Sequence, residues 1–296
     1  MDPSLITLTG LILMTHHTLI STATLAEHLH DPTWRIFDVR HDLMQADLGT
    51  KQYAEGHLPG ACFVSIDTDL AGEKNGRNGR HPLPTPEAFA ATLSRLGVRH
   101  DQQVVAYDAS GGMYAARLWW MLRWVGHTRV AVLDGGINQW IREQRMITTD
   151  VPHVSPSQFH AQVHESRVDA NFLMAHLGKT EVTVIDARAA NRYAGQDEVI
   201  DPVGGHIPGA LNRPFQANLD TNGCFKPAAT LAAEFAQLLG NRSPKQIVHS
   251  CGSGVSACHN LIAMEVAGLS GARLYPGSWS EWCSDPARPV ATGAQP

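Results

Sequence analysis

Short runs rich in β-branched and apolar residues alternate along this chain with stretches whose apolar positions recur at helical spacing. RIFDVR at 35–40, QQVVAYD at 102–108, TVIDAR at 183–188 and KQIVHS at 245–250 have the length and composition of buried strands. PEAFAATLSRLG at 86–97, AATLAAEFAQLLG at 228–240 and ACHNLIAMEVAG at 257–268 read as helices that bury one face. Strands alternating with helices predict a mainly parallel sheet flanked by helices, so the fold class is α/β.

The pattern also occurs twice. RIFDVR returns as TVIDAR, EGHLPGA at 55–61 as GGHIPGA at 204–210, and QQVVAYDASGG at 102–112 as KQIVHSCGSGV at 245–255. The offsets are 148 from Asp38 to Asp186, 149 from His57 to His206, 143 from Asp108 to Cys251 and 142 from Trp140 to Trp282. Spacing this steady means one duplicated fold. The polar, proline-containing segment between the copies lacks periodicity, which puts a linker at 146–165 between domains at 15–145 and 166–296.

HSCGSGVSA at 249–257 carries the candidate chemistry. Cys251 falls where a strand gives way to a helix, the end of an α/β sheet at which ligands collect. Gly252 and Gly254 let the backbone turn tightly, and the amides through Val255, Ser256 and Ala257 can point at one sulfur. A cysteine at a helix N-terminus, ringed by N–H donors, has its thiolate favoured. The equivalent position in the first half is Asp108, which cannot act as a sulfur nucleophile, so only the second half is expected to be catalytic.

Composition narrows the partners. A net charge of −5 and a pI near 6.3 leave no basic footprint for nucleic acid, which points to small-molecule substrates. Five scattered cysteines, an odd number, argue against a disulfide framework and for a reducing cytoplasm. The opening MDPSLITLTGLILM lacks a basic start and is too short to span a bilayer, so no membrane association is expected. Residues 1–14 are expected to be disordered, with 1–13 an extension upstream of a natural start at Met14.

Together, DVR and DAR, HLPGA and HIPGA, YDASGG, RLWWMLRW, LDGG, CGSGVSA and GSWSEW resemble the two-domain sulfurtransferases of the rhodanese type, from about Leu19 to about Pro289. That resemblance implies two tandem rhodanese-like domains, the first non-catalytic. Thiosulfate-using members carry cations directly after the cysteine, whereas CGSGV followed by Ser is similar to the 3-mercaptopyruvate sulfurtransferases. A dianion gains from such cations, while a carboxylate can be held by hydroxyls, amides and an arginine.

The same resemblance makes Arg192 the donor's carboxylate ligand. It also implies a second arginine nine residues later, where this chain has Asp201, a departure that favours thiosulfate; Arg213 in LNRPF is the candidate replacement. Ser253, His81 in GRHPLP and Asp67 in VSIDTD match a serine–histidine–aspartate relay across the two domains. The implied reaction takes sulfur through a Cys251 persulfide to a small thiol, thioredoxin or cyanide, with no cofactor.

Two rivals are weighed on residues. A phosphatase loop needs C-x-x-x-x-x-R, and the sixth residue after Cys251 is Ala257. A pair of non-catalytic interaction modules, suggested by Asp108, is opposed by Cys251 and Arg192 in the second half. Cys251, Cys258, His249 and His259 match no zinc spacing, so no metal is expected. His57 and His206 are expected to fix turns, Asp186 to organise a strand end, and Trp279 and Trp282 to wall the site or pack the domain. A monomer is the default.

Overall fold

The computed structural model describes residues 15–296, so the expected disorder of 1–14 lies outside the described residues. The first copy runs β1 (Leu19–Ile20), α1 (Thr22–Glu27), β2 (Trp34–Asp38), α2 (Leu48–Glu55), β3 (Ala61–Phe63), α3 (Pro86–Arg95), β4 (Gln103–Tyr107), α4 (Ala115–Trp124), β5 (Val130–Leu133) and α5 (Gly136–Arg142). The second runs α6 (Ala170–His176), β6 (Thr183–Asp186), α7 (Ala190–Tyr193), β7 (Leu211–Asn212), α8 (Ala228–Leu239), β8 (Ile247–Ser250), α9 (Ala257–Val266), β9 (Arg273–Leu274) and α10 (Ser278–Trp282). Among the described residues no helix is long and apolar enough to cross a membrane.

Both sheets are parallel, as the alternation of strands and helices predicts, in the orders β1-β5-β4-β2-β3 and β7-β6-β8-β9. The second sheet repeats the first except at its edge, where β1 is reduced to a single bridge from Arg167 to Leu274. Helix starts follow local chemistry: Thr85 accepts the Ala88 N–H ahead of Pro86 at the start of α3, and Asp169 accepts the Phe172 N–H of α6.

The repeated motifs are paired structural pins. Arg40 grips Asp38 at 2.6 Å and donates to Gly56 O at 2.7 Å, and Arg188 does the same to Asp186 at 2.7 Å and Gly205 O at 2.6 Å. His57 stacks on Tyr53 and His206 on Tyr193, with centroids 3.9 and 3.8 Å apart, and each ring donates to the carbonyl of the tyrosine it covers. Burying these aspartates is tolerable because each is paired and hydrogen-bonded. Trp279 and Trp282 are fully buried and donate to Val203 O and Pro289 O, so they pack the domain and do not wall the site.

The segment 146–165 has no helix or strand but is strapped to the first copy. Thr148 bridges His57, Ser157 donates to Val98 O, Phe159 is buried, and the N–H groups of Gln162 and His164 bond Val125 O and Trp124 O. One apolar cluster, including Trp119, Met121, Leu261 and Ile262, runs through both halves where α4 lies against α9. Within this contact Arg117, on α4, has no exposed surface. Its Nη1 donates to Gly254 O at 3.0 Å, and its Nη2 to Leu70 O and His81 O at 3.2 and 3.0 Å.

Removing that guanidinium strips a donor from three buried carbonyls and leaves a void. Arg117→Ala is therefore expected to lower the unfolding free energy by about 3 kcal/mol or more. Thermal unfolding of the variant checks this, and an unchanged midpoint would contradict it.

Candidate active site

Cys251 follows β8 directly and opens the turn into α9, as the strand-to-helix reading expects, and it is 1% exposed. The Gly254 N–H donates to its Sγ at 3.1 Å. The Cys251 N–H is held at 3.1 Å by the Ser278 hydroxyl, which itself donates to Tyr275 O at 2.9 Å. The first amides of α10, Trp279 and Ser280, donate to Cys251 O and Gly252 O, both at 2.9 Å. Gly254 has φ +75°, and a Cβ there would lie 2.2 Å from Pro276 O, so only glycine fits. The N–H groups of Ser253, Val255, Ser256 and Ala257 find no acceptor among the described residues.

The duplicate loop shows what such amides bind. Asp108 is fully buried, its Oδ1 accepting the N–H groups of Ser110 and Gly112 at 2.7 and 2.9 Å and its Oδ2 those of Tyr114 and Ala115 at 2.7 and 2.9 Å. Burial pushes the Asp108 carboxyl up and the four N–H bonds pull it back, with the net direction upward. Leu219 and Phe225 of the second copy close over Gly111 and Gly112, which covers the Asp108 side of this loop.

Ser253, His81 and Asp67 are brought together. His81 Nδ1 lies 2.8 Å from Ser253 Oγ and its Nε2 lies 3.3 Å from Asp67 Oδ1. Burial, then the charge of Arg117, drives the His81 imidazole down to about 3 against the upward pull of Asp67. The neutral tautomer with its hydrogen on Nε2, on the side of Asp67, accepts the Ser253 hydroxyl at Nδ1. Asp67 also meets Lys74 at 3.3 Å and His41 at 4.0 Å. Among the described residues, His41, Asp67 and His81 form the one group close enough to share a metal, within 4.8 Å of one another, and two of the three belong to this relay.

A cavity of about 190 Å³ opens onto Cys251, Gly252, Ser253, Val255 and Ser256, with His81, Arg80, Arg188 and Arg192 on its walls. Gly254 and Ala257 lie in the loop but do not face this cavity. Arg192 sits on α7 and donates from Nε and Nη2 to Glu198 and from Nη2 to Asp201 at 3.1 Å. Against burial, which raises it, Arg192 and the N–H groups of Asp201 and Ile200 hold the Glu198 carboxyl below its ordinary range. Burial raises the Asp201 carboxyl and outweighs the downward pull of Arg80, Arg192 and Arg188.

Arg213 is not part of this pocket. Its guanidinium lies over Phe235 at 4.3 Å and is consumed by Asn218 at 2.9 Å and Glu234 at 2.8 Å, so it cannot replace the charge missing at 201. The loop's lack of its own cation is also only half the picture, because the first copy supplies Arg117 beneath it and Arg80 beside it. Neither arginine, nor Ser278, was singled out from the sequence. Arg80 adjoins His81 in GRHPLP, which is the one sequence signal that could have found it.

Two matches to the rhodanese-like domain model cover residues 21–143 and 169–285. A "Probable 3-mercaptopyruvate sulfurtransferase" of Pseudomonas aeruginosa is 44% identical over 278 residues, 93% of this chain and 98% of its own. A "Putative thiosulfate sulfurtransferase SseB" of Mycobacterium tuberculosis is 40% identical over 281 residues, covering 93% and 97%. The solved structure of SseA from Escherichia coli, described as a 3-mercaptopyruvate sulfotransferase, superimposes with a TM-score of 0.77 at 33% identity, covering 88% of this chain and 98% of that one.

With its pKa held at about 3 against an ordinary 6.5, the folded His81 stays neutral where the unfolded chain takes up a proton. It therefore subtracts stability as pH falls from 6.5 towards 3 and costs nothing above that window. Nitrogen NMR of the ring is expected to keep a neutral-imidazole signature down to about pH 5. A titration centred near 6.5 would show that the burial argument fails.

Proposed function

The chain belongs to the rhodanese-like domain family, with two copies in tandem, and we propose that this sulfurtransferase moves the thiol sulfur of 3-mercaptopyruvate, as the sulfane sulfur of a Cys251 persulfide, to a thiol, thioredoxin or cyanide. The Cys251 thiolate attacks the donor's sulfur. A sulfur–sulfur bond forms as the sulfur–carbon bond breaks, and its electron pair passes to the methylene carbon, giving the enolate of pyruvate. The proton of the donor's thiol ends on that carbon. Oxidation falls on the sulfurs and reduction on the carbon, so no outside reductant is required. The acceptor's thiolate or cyanide then takes the outer sulfur and returns the Cys251 thiolate.

The observation that carries the donor assignment is the Ser253–His81–Asp67 series beside the cysteine, hydrogen-bonded from Ser253 to His81 and in close charge contact from His81 to Asp67. When pyruvate leaves as an enolate, a proton must be delivered; Ser253 Oγ passes it while neutral His81 orients the hydroxyl. When sulfite leaves thiosulfate, no carbon needs a proton. The second reading, thiosulfate, is favoured by the guanidiniums of Arg80 and Arg192 on the cavity wall, which also suit a dianion. In both half-reactions the persulfide anion draws on the unpartnered amides of the loop.

Intact mass after brief exposure to each donor tests this. The wild type is expected to gain one sulfur atom faster from 3-mercaptopyruvate than from thiosulfate, and Cys251→Ser to gain none. Ser253→Ala is expected to slow loading by mercaptopyruvate about 10- to 100-fold and to spare loading by thiosulfate. Faster loading by thiosulfate, or equal losses with both donors, would overturn the donor assignment.

A further inference from the structure

Resting on a donor that bears a carboxylate, we infer that Arg80, supplied by the first copy, is the second guanidinium that grips this carboxylate beside Arg192, and that Asp201 is the shared counter-charge holding both in place.

Arg80 is delivered across the domain boundary by its own backbone. Gly79, at φ +86°, packs so closely on the second copy that a Cβ would lie 2.8 Å from Gly277 O. The Arg80 N–H donates to Ser280 Oγ at 3.0 Å. From there the side chain reaches Asp201, with Nη1 donating to Oδ1, while Arg192 Nη2 takes Oδ2 at 3.1 Å. Asp201 thus ties two guanidiniums from two domains, and its side chain is 2% exposed.

What each arginine leaves free decides the matter. Arg192 uses Nε and Nη2, and Arg80 uses Nη1; Arg80 Nε is buried without a partner. Among the described residues, Arg80 Nη2 and Arg192 Nη1 have no hydrogen-bond acceptor, and these two nitrogens converge on Gly252. A Cβ on Gly252 would sit 2.7 Å from Arg80 Nη2 and 3.8 Å from Arg192 Nη1. The backbone of Gly252 has no positive φ that demands glycine, so the missing side chain serves to leave space under the two cations. A carboxylate lying over Gly252, next to Cys251, accepts from both. The charge absent at 201 therefore arrives from position 80, and the acid at 201 positions the arginine instead of repelling the donor.

Pyruvate, the carboxylate that remains after sulfur transfer, is the probe. Its Kd, by calorimetry, is measured for the wild type, Arg80→Ala, Arg80→Lys and Asp201→Asn. Arg80→Ala is expected to weaken binding about 10- to 100-fold, as for loss of a hydrogen bond to a charged group. Arg80→Lys keeps the charge without the fork and falls between. Asp201→Asn keeps an acceptor for Arg80 Nη1 but loses the charge that holds it, and is expected to weaken binding several-fold less than Arg80→Ala does. If Arg80 and Asp201 form only a structural bridge, both variants weaken binding alike; that result, an unchanged Kd in Arg80→Ala, or no binding to the wild type overturns the inference. A wild type that binds pyruvate but gains no sulfur from mercaptopyruvate would sink the donor assignment and leave Arg80 standing.

Discussion

Arg117 sits where the two copies meet, and one guanidinium fastens both halves of the site. Through Gly254 O it holds the cysteine loop of the second copy, and through Leu70 O and His81 O it holds the segment of the first copy that carries the relay histidine. A fully buried cation without a carboxylate partner is expensive unless its donors are used, and here three carbonyls take Nη1 and Nη2 while Nε has no acceptor among the described residues. Burial, and after it this charge, keeps His81 neutral, which is the form that can accept the Ser253 hydroxyl. The first copy, inert in itself, is thus the scaffold on which the second becomes a site.

The inert loop explains the active one. Asp108 fills its own amide cradle with a carboxylate, and Leu219 and Phe225 cover Gly111 and Gly112, so the four amides are already taken. In the second copy the loop is one residue shorter: the offset is 143 at Asp108 and Cys251 but 142 at the starts of α4 and α9. Ser256 and Ala257 therefore stand where Tyr114 and Ala115 bind the Asp108 oxygen, and their amides are without acceptors. Cys251 Sγ takes the Gly254 N–H and makes no hydrogen bond with those two amides. The anion is completed only when a second sulfur is added.

Much of this was legible in the chain because duplication displays its own controls. HLPGA and HIPGA recur although only one half holds Cys251, which marks His57 and His206 as turn-fixing, and the Tyr53 and Tyr193 stacks bear that out. The parallel sheets follow from strand and helix periodicity, and the cysteine turn from small residues after a β-branched run. What was not legible crosses between domains. Arg117 reads as one polar position on an apolar helix, and only the packing of α4 on α9 shows that it lies beneath the cysteine loop. Arg213 was the nearer arginine in sequence to the second copy's motifs, yet Glu234 and Asn218 claim it, while Arg80 arrives from more than a hundred residues away.

The account's central claim is that the loop is an anion cradle waiting for the outer sulfur. A crystal structure of the sulfur-loaded protein tests this most directly. The outer sulfur is predicted to lie within about 3.5 Å of the Ser256 and Ala257 amide nitrogens, in the place that the Asp108 oxygen takes in the first copy. An outer sulfur turned away from those amides, towards Arg80 and Arg192, would contradict it.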